Sequence, residues 1–298
     1  TDQDLDGSHI KGLCINMFHS QWHDLVTIPN FFGFMNTPIL KATKGKKVKS
    51  FYNESDYLQW RQQNNNGKGW KIKYYKGLGT STAKEFKEYF ADKKLIMFSY
   101  TGEESDNAID KVFNKTRAED RKVWLGDYDK HAVLTSSNLE VTYEDFIDKE
   151  MRHFSKYDCE RSIPNLMDGL KTSLRKILYS AFKKNLIKEI KVAQFSGYVS
   201  EHSGYHHGEM SLNKAIINLA QEFVGSNNIN PLLPLGQFGT RLEGGKDSAS
   251  ERYIFTMLNS LTSFIFRNED APVLTYLDDD GHLVEPDYYV PIIPMILV

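Results

Sequence analysis

Thr1-Asp-Gln-Asp-Leu-Asp-Gly-Ser-His9 sets three carboxylates, Asp2, Asp4 and Asp6, in the first six residues and runs straight into helix-patterned sequence. Like charges this close repel unless a hard cation neutralises them, and an oxygen-only donor set suits Mg²⁺ or Ca²⁺. An EF-hand loop opens the same way, but its twelfth position must be a bidentate glutamate and here it is Leu13, which excludes that motif. Ile10, Leu13, Cys14, Met17 and Phe18 then fall at helical spacing and predict an amphipathic helix that buries this stripe. Acids ahead of a buried helix point to a metal site at a strand end, as in open α/β sheets. A solvated acidic terminus is the alternative for this segment alone. With no initiator Met and no targeting segment, the chain reads as an interior piece of a longer protein, with room for a further metal ligand upstream.

Working outward, 298 residues suffice for two domains at roughly 150 residues each. No apolar run approaches the roughly 18 residues of a membrane helix, so no membrane partner is expected. Cys14 and Cys159 supply neither a disulfide framework nor a metal cluster, which predicts a reducing, intracellular setting. The net charge of −2 gives no global sign of a polyanionic partner. Local charge does. Arg161, Lys171, Arg175, Lys176, Lys183, Lys184, Lys188 and Lys191 crowd one segment opposed by Asp168 and Glu189 alone, the kind of patch that phosphate binding needs.

Residues 1–100 alternate short strands with helices. Strands are predicted at Thr37-Pro-Ile-Leu-Lys-Ala, at 48–52 and at Trp70-Lys-Ile-Lys-Tyr-Tyr, with turns at Lys44-Gly-Lys-Lys and Asn64-Asn-Asn-Gly-Lys-Gly. Lys76-Gly-Leu-Gly-Thr-Ser then leads into a helix whose Thr82 and Glu85 form a capping box. Strand, glycine loop and helix in that order either cradle a phosphate or make a structural turn. The polar stretch that follows, through Arg117-Ala-Glu-Asp-Arg-Lys-Val-Trp, reads as a helical connector and then a loop over 126–138. In the second half, Leu170, Leu174, Ile177, Leu178, Ala181 and Phe182 mark a helix capped by Thr172 or Ser173. Lys171, Arg175 and Lys176 are expected off its apolar face, a pattern consistent with helix-turn-helix or winged-helix DNA binding. Leu212, Ala215, Ile216, Leu219, Ala220 and Phe223 mark a second, core-forming helix.

Phosphodiester chemistry is suggested by Ser203-Gly-Tyr-His-His-Gly-Glu and by the loop from Gly236 to Arg252-Tyr253. A phenol with a pKa of about 10 is a poor nucleophile at neutral pH and needs a base, a cation or a polarised substrate. Arg252 beside Tyr253 can stabilise the phenolate and the charge developing on phosphorus. Neighbouring side chains on a strand point to opposite faces, so both serve one phosphate only if the backbone bends there.

The chain resembles the breakage–reunion core of type II DNA topoisomerases of the single-chain eukaryotic or large-DNA-virus type. The resemblance rests on Asp2-Gln-Asp-Leu-Asp-Gly-Ser-His-Ile, Tyr75-Lys-Gly-Leu-Gly-Thr-Ser, Glu160-Arg-Ser-Ile-Pro, Asp168-Gly-Leu-Lys, Tyr205-His-His-Gly-Glu, Gly236-Gln-Phe-Gly-Thr-Arg, and Gly244-Gly-Lys-Asp through Arg252-Tyr-Ile-Phe. These stand in the family's order over nearly the whole chain. The acid cluster and the tyrosine share one chain here, unlike in gyrase-like enzymes.

The resemblance implies an α/β plus α+β fold. Residues 1–105 would be the C-terminal part of a Rossmann-like, metal-binding Toprim domain and 106–150 a connector. Residues 151–275 would form a winged-helix domain with the catalytic tyrosine, and 276–298 the start of a tower domain. It implies Tyr253 as nucleophile forming a 5′-phosphotyrosyl link, Arg252 as transition-state stabiliser, and Arg161, Lys171 and His207 near the scissile phosphate. Asp2 and Asp4 would be the main Mg²⁺ ligands, with Asp6 in support. Arg121, Lys122, Tyr205 and Ser211 match DNA-contacting positions, joined by Lys171 and Arg175 of the basic helix. Partners implied are double-stranded DNA and a second copy of the chain, and the setting is nuclear, or viral (a cytoplasmic factory or a virion). ATP would bind outside these residues, as would the upstream glutamate and the exit gate. The family's Pro-Gly-Gln is replaced by Thr172-Ser-Leu, and 125–138 is shorter than its animal counterpart. Two readings compete: a non-catalytic DNA-binding or dimerisation module, and a water-using metal nuclease that gives Tyr253 no role.

Overall fold

Asp4 caps the helix predicted after the acid cluster: its Oδ1 accepts a 2.7 Å bond from the Gly7 N–H, and α1 (Leu5–Gln21) follows. The helix buries a different face from the one expected. Gly7, Ser8, Gly12 and Ile15 point inward, while Ile10, Leu13 and Met17 are 48%, 46% and 46% exposed and Cys14 is exposed too. Close approach decides this. A Cβ on Gly12 would stand 2.7 Å from Met151 Sδ and 3.1 Å from Phe113 Cζ, so the small-residue face is the one that fits its neighbours.

The computed structural model describes residues 4–75, 78–134, 139–279 and 282–298, in two compact units that divide between Asp158 and Cys159. In the first, α1 is followed by α2 (His23–Thr27), β1 (Gly33–Met35), β2 (Leu40–Lys44), β3 (Lys47–Phe51), α3 (Glu54–Gln63) and β4 (Lys71–Tyr74). Then come α4 (Ala83–Ala91), β5 (Leu95–Ser99), α5 (Glu103–Phe113), α6 (Ala118–Gly126), β6 (Glu140–Thr142) and α7 (Tyr143–Phe146). A π-helical turn over Ile147–Met151 joins α7 to α8 (Arg152–Ser162). Strands β3-β2-β4 form an antiparallel sheet, its hairpin turning at Gly45 with φ +59°. Leu40 and Ala42 alternate inward there against Phe51, Tyr57 and Trp60.

Strands β1-β5-β6 form the second sheet, and β5 runs parallel to β6. A parallel pair requires a crossover, which α5 and α6 supply. Residues 106–150, expected as a connector, therefore build the core: Ala108, Ile109, Trp124, Val141, Tyr143, Phe146 and Ile147 pack with Ile15, Ile96 and Phe98.

The second unit contains α9 (Thr172–Lys184), β7 (Ile190–Lys191), α10 (Val192–Ser203), α11 (Glu209–Ala220), β8 (Leu232–Leu235), β9 (Phe255–Leu258), α12 (Ser260–Ile265), β10 (Tyr276–Asp279) and β11 (His282–Pro286). Both predicted helices are present. The cap of α9 is Lys171, which makes no side-chain capping bond, in place of Thr172 or Ser173. Helices α9, α10 and α11 enclose Ile177, Phe195, Val199, Leu212 and Ile216 against the small antiparallel sheet β7-β9-β8. Among the described residues no helix is long and apolar enough to cross a membrane.

Candidate active site

Tyr253 stands at the end of a turn, not within a strand. Its N–H donates to Ser250 O (2.9 Å), and β9 begins only at Phe255. The backbone bend that a joint Arg252–Tyr253 action requires is thus present. Tyr253 is 73% exposed, and the Arg252 guanidinium carbon lies 5.8 Å from its ring centroid.

The turn is held from behind. The first N–H groups of a helix lack partners within it. In α10 those of Val192 and Ala193 donate to Ile254 O (3.0 Å) and Glu251 O (3.1 Å), on either side of the tyrosine. Ahead of the turn, Asp247 accepts from the Thr240 N–H and Oγ1, both at 2.8 Å. The Thr240 N–H bond in particular holds the Asp247 carboxyl below its ordinary pKa. Gly239, at φ +98°, passes so close to Gly245 that a Cβ would lie 2.6 Å from its Cα. Gln221 Nε2 donates to Phe238 O (2.8 Å) and Gly245 O (3.3 Å), tying the loop to the end of α11.

Of the other expected residues, His207 and Ser211 are exposed at the start of α11, and Tyr205 is buried, its ring 5.4 Å from that of His207. Arg161 lies in the last turn of α8 and Lys171 is exposed at the N-cap of α9. Arg175 differs from its expected place. It is 5% exposed and donates through Nε and Nη2 to both oxygens of Asp168, at 2.6 and 2.9 Å, and to Leu170 O. Asp168, fully buried, also accepts from the N–H groups of Leu170 and Tyr289. This guanidinium is spent on joining α9 to the chain after β11 and is not presented to a ligand. Lys176 is likewise turned inward, to Glu285 (2.9 Å) and Ser203 O. Neither pairing was legible in the sequence, since the partners lie 7 and 109 residues apart with loops or strands between.

In the first unit, Asp4 is exposed and Asp6 half-buried in the first turn of α1, while Asp2 lies outside the described residues. Carboxylates at a helix N-terminus, one oxygen of Asp4 taken by Gly7, are a donor set that fits a hard divalent cation. Arg121 donates to Lys111 O and Asn114 O, closing the C-terminus of α5, and Lys122 pairs with Glu119 at 2.6 Å on the surface. The Thr82–Glu85 capping box is formed. Glu85 also receives Lys73 Nζ (2.8 Å) and the Tyr75 hydroxyl. Burial acts to raise the Glu85 pKa, but bonds from Lys73, the Thr82 N–H and Tyr75 outweigh it and hold the carboxyl at about 2. Lys76 and Gly77 of the adjoining glycine loop lie outside the described residues.

Two family models match. One described as the C-terminal associated domain of TOPRIM covers residues 35–159, and one describing the A-type chain of DNA gyrase/topoisomerase IV covers 161–298. "DNA topoisomerase 2" of Plasmodium falciparum (isolate K1 / Thailand) is 54% identical over 301 residues, a match covering 100% of this chain and 22% of that protein. The chain belongs to the type II DNA topoisomerases. "DNA topoisomerase 2-alpha" of Homo sapiens is 52% identical over 312 residues, covering 100% of this chain and 20% of that one. The solved Plasmodium falciparum topoisomerase II DNA-binding, cleavage and re-ligation domain superposes with a TM-score of 0.85 at 54% identity, covering 100% of this chain and 41% of that one. The chain thus spans about a fifth of the length of the curated type II topoisomerases it matches.

Proposed function

We propose that this chain is the central DNA-breaking segment of an ATP-dependent type II topoisomerase, with Tyr253 as its nucleophile. The exposed phenol on a turn locked by α10, beside Arg252, is the observation that carries this reading. The Tyr253 Oη attacks a backbone phosphorus and its proton leaves to a base, for which His207 is the candidate. The P–O3′ bond breaks, the 3′ oxygen takes a proton, and a 5′-phosphotyrosyl ester remains that conserves the bond energy for resealing. Arg252, with Arg161 and Lys171, offsets the charge that develops on phosphorus. Asp2, Asp4 and Asp6 are the residues to hold Mg²⁺, which when bound polarises the phosphate and the leaving oxygen. Two copies of the chain, the acids of one serving the tyrosine of the other, cut both strands of a duplex. Lys122, His207 and Ser211, exposed, are the candidate DNA contacts, with Arg121 and Tyr205 shaping their surroundings. The three-helix and small-sheet arrangement supports a winged-helix reading of the second unit.

In the full-length enzyme, Tyr253→Phe is expected to abolish covalent protein–DNA adducts while leaving duplex binding within about twofold. Adducts persisting in that variant would refute the assignment. Because the chain spans a fifth of its relatives, a second reading holds for it in isolation: a DNA-binding module without cleavage. Incubation with nicked duplex and Mg²⁺ separates the two by presence or absence of adducts.

A further inference from the structure

At the far end of α1 from its acids, two imidazoles and a carboxylate converge on one point. His19 lies in the last turn of α1 and His23 opens α2, a four-residue spacing across the break at Trp22. Their Nε2 atoms each stand 2.9 Å from the same oxygen, Oδ1 of Asp106, in the first turn of α5. The three atoms all lie within 4.8 Å of one another. The other oxygen of Asp106 is fixed separately by the Tyr100 hydroxyl at 2.7 Å. The rings of His19 and His23 meet edge to face at 5.1 Å, and His23 meets Tyr100 the same way at 5.8 Å, which restricts their rotation.

Two neutral imidazoles can satisfy a carboxylate by donating one N–H each, but such pairs are free to use its two oxygens. Here both aim at one oxygen while tyrosine holds the second, as when outer hydrogen bonds orient a metal-ligating carboxylate. Two ligands each about 2.05 Å from an ion and at right angles to it are about 2.9 Å apart, so the spacing already suits coordination. Side-chain exposures of 17% for His19, 45% for His23 and 36% for Asp106 leave one side open for water to complete the shell. Glu103 and Asp110 add negative charge nearby: the first acts on Tyr100 and the second feels His19. Two nitrogen donors and one oxygen select Zn²⁺ or a similar transition ion over Mg²⁺. Along α1, residue 19 is about 22 Å from residue 4, so the acid cluster is not part of this constellation.

We infer that His19, His23 and Asp106 bind one zinc-class divalent ion, with Tyr100 orienting the carboxylate, and that the ion clamps α1 and α2 to α5. The full-length protein, stripped with chelator and held in excess Mg²⁺ to occupy hard oxygen sites, is titrated with Co²⁺. Visible d–d bands saturating at one ion per chain are expected, bleached by Zn²⁺, together with a rise in melting temperature. His23→Ala is expected to lose the bands and the rise but keep its metal-free melting temperature, since the side chain is half exposed. Should that variant fold poorly, His23→Gln serves in its place. Tyr100→Phe is expected to weaken Co²⁺ roughly tenfold. The inference is overturned if the His23 variants bind Co²⁺ with wild-type stoichiometry and affinity, or if wild type gives no bands.

Discussion

Arg175 and Arg252 carry the same guanidinium in opposite circumstances: one is locked into Asp168, the other lies exposed beside a reactive phenol. The sequence marks both as basic residues in a basic segment, because charge density says nothing about which side chains turn inward. What separates them is a buried acid seven residues from Arg175, and its partnership became visible only once the loop between them had a shape. Removing one member of a buried pair leaves the other charged and unsolvated. Asp168→Ala is therefore expected to cost about 3–5 kcal/mol in urea unfolding, whereas a surface role for Arg175 would leave the midpoint nearly unchanged. Asp4 combines two duties that its substitutions can separate. Asn caps a helix as well as Asp does, while Ala costs about 1 kcal/mol. Asp4→Asn should thus keep the melting temperature and still raise the Mg²⁺ concentration needed for DNA cleavage. An unchanged Mg²⁺ dependence would remove Asp4 from the metal set.

Local signals were legible at the scale of elements wherever the chemistry was itself local. Thr82 and Glu85 announced α4, and Gly45 announced the β2–β3 turn. The apolar stripe of α1 misled because periodicity locates large side chains, whereas this helix packs through Gly7, Ser8 and Gly12, whose value lies in how little they occupy. The connector expected over 106–150 failed for a related reason. A polar surface on α5 and α6 masks the buried residues that complete the β5–β6 crossover. Glu85 gives the element scale its pH test. Its carboxyl falls from an ordinary 4.5 to about 2 in the folded chain, so the stability it adds is full above about pH 4.5 and disappears as pH drops through about 2. Glu85→Gln should lower the melting temperature at neutral pH, and the gap from wild type should close on acidification across that window. A gap independent of pH would assign the loss to the capping geometry alone.

Motifs distributed in family order over nearly the whole chain made the membership legible, because they record chemistry and not packing. The partition into two units, each with its own core, was less legible, since the boundary falls inside a continuous helix, α8. At this scale the account stands on one covalent bond: a phenol of the second unit joined to DNA, with the acids of the first unit supplied by another copy. Trapping the cleaved complex of the full-length enzyme, digesting it with protease and sequencing the nucleotide-bearing peptide by mass spectrometry tests that bond directly. The expected result is a 5′-linked nucleotide on Tyr253, and a 3′ linkage or a different acceptor residue would contradict the account.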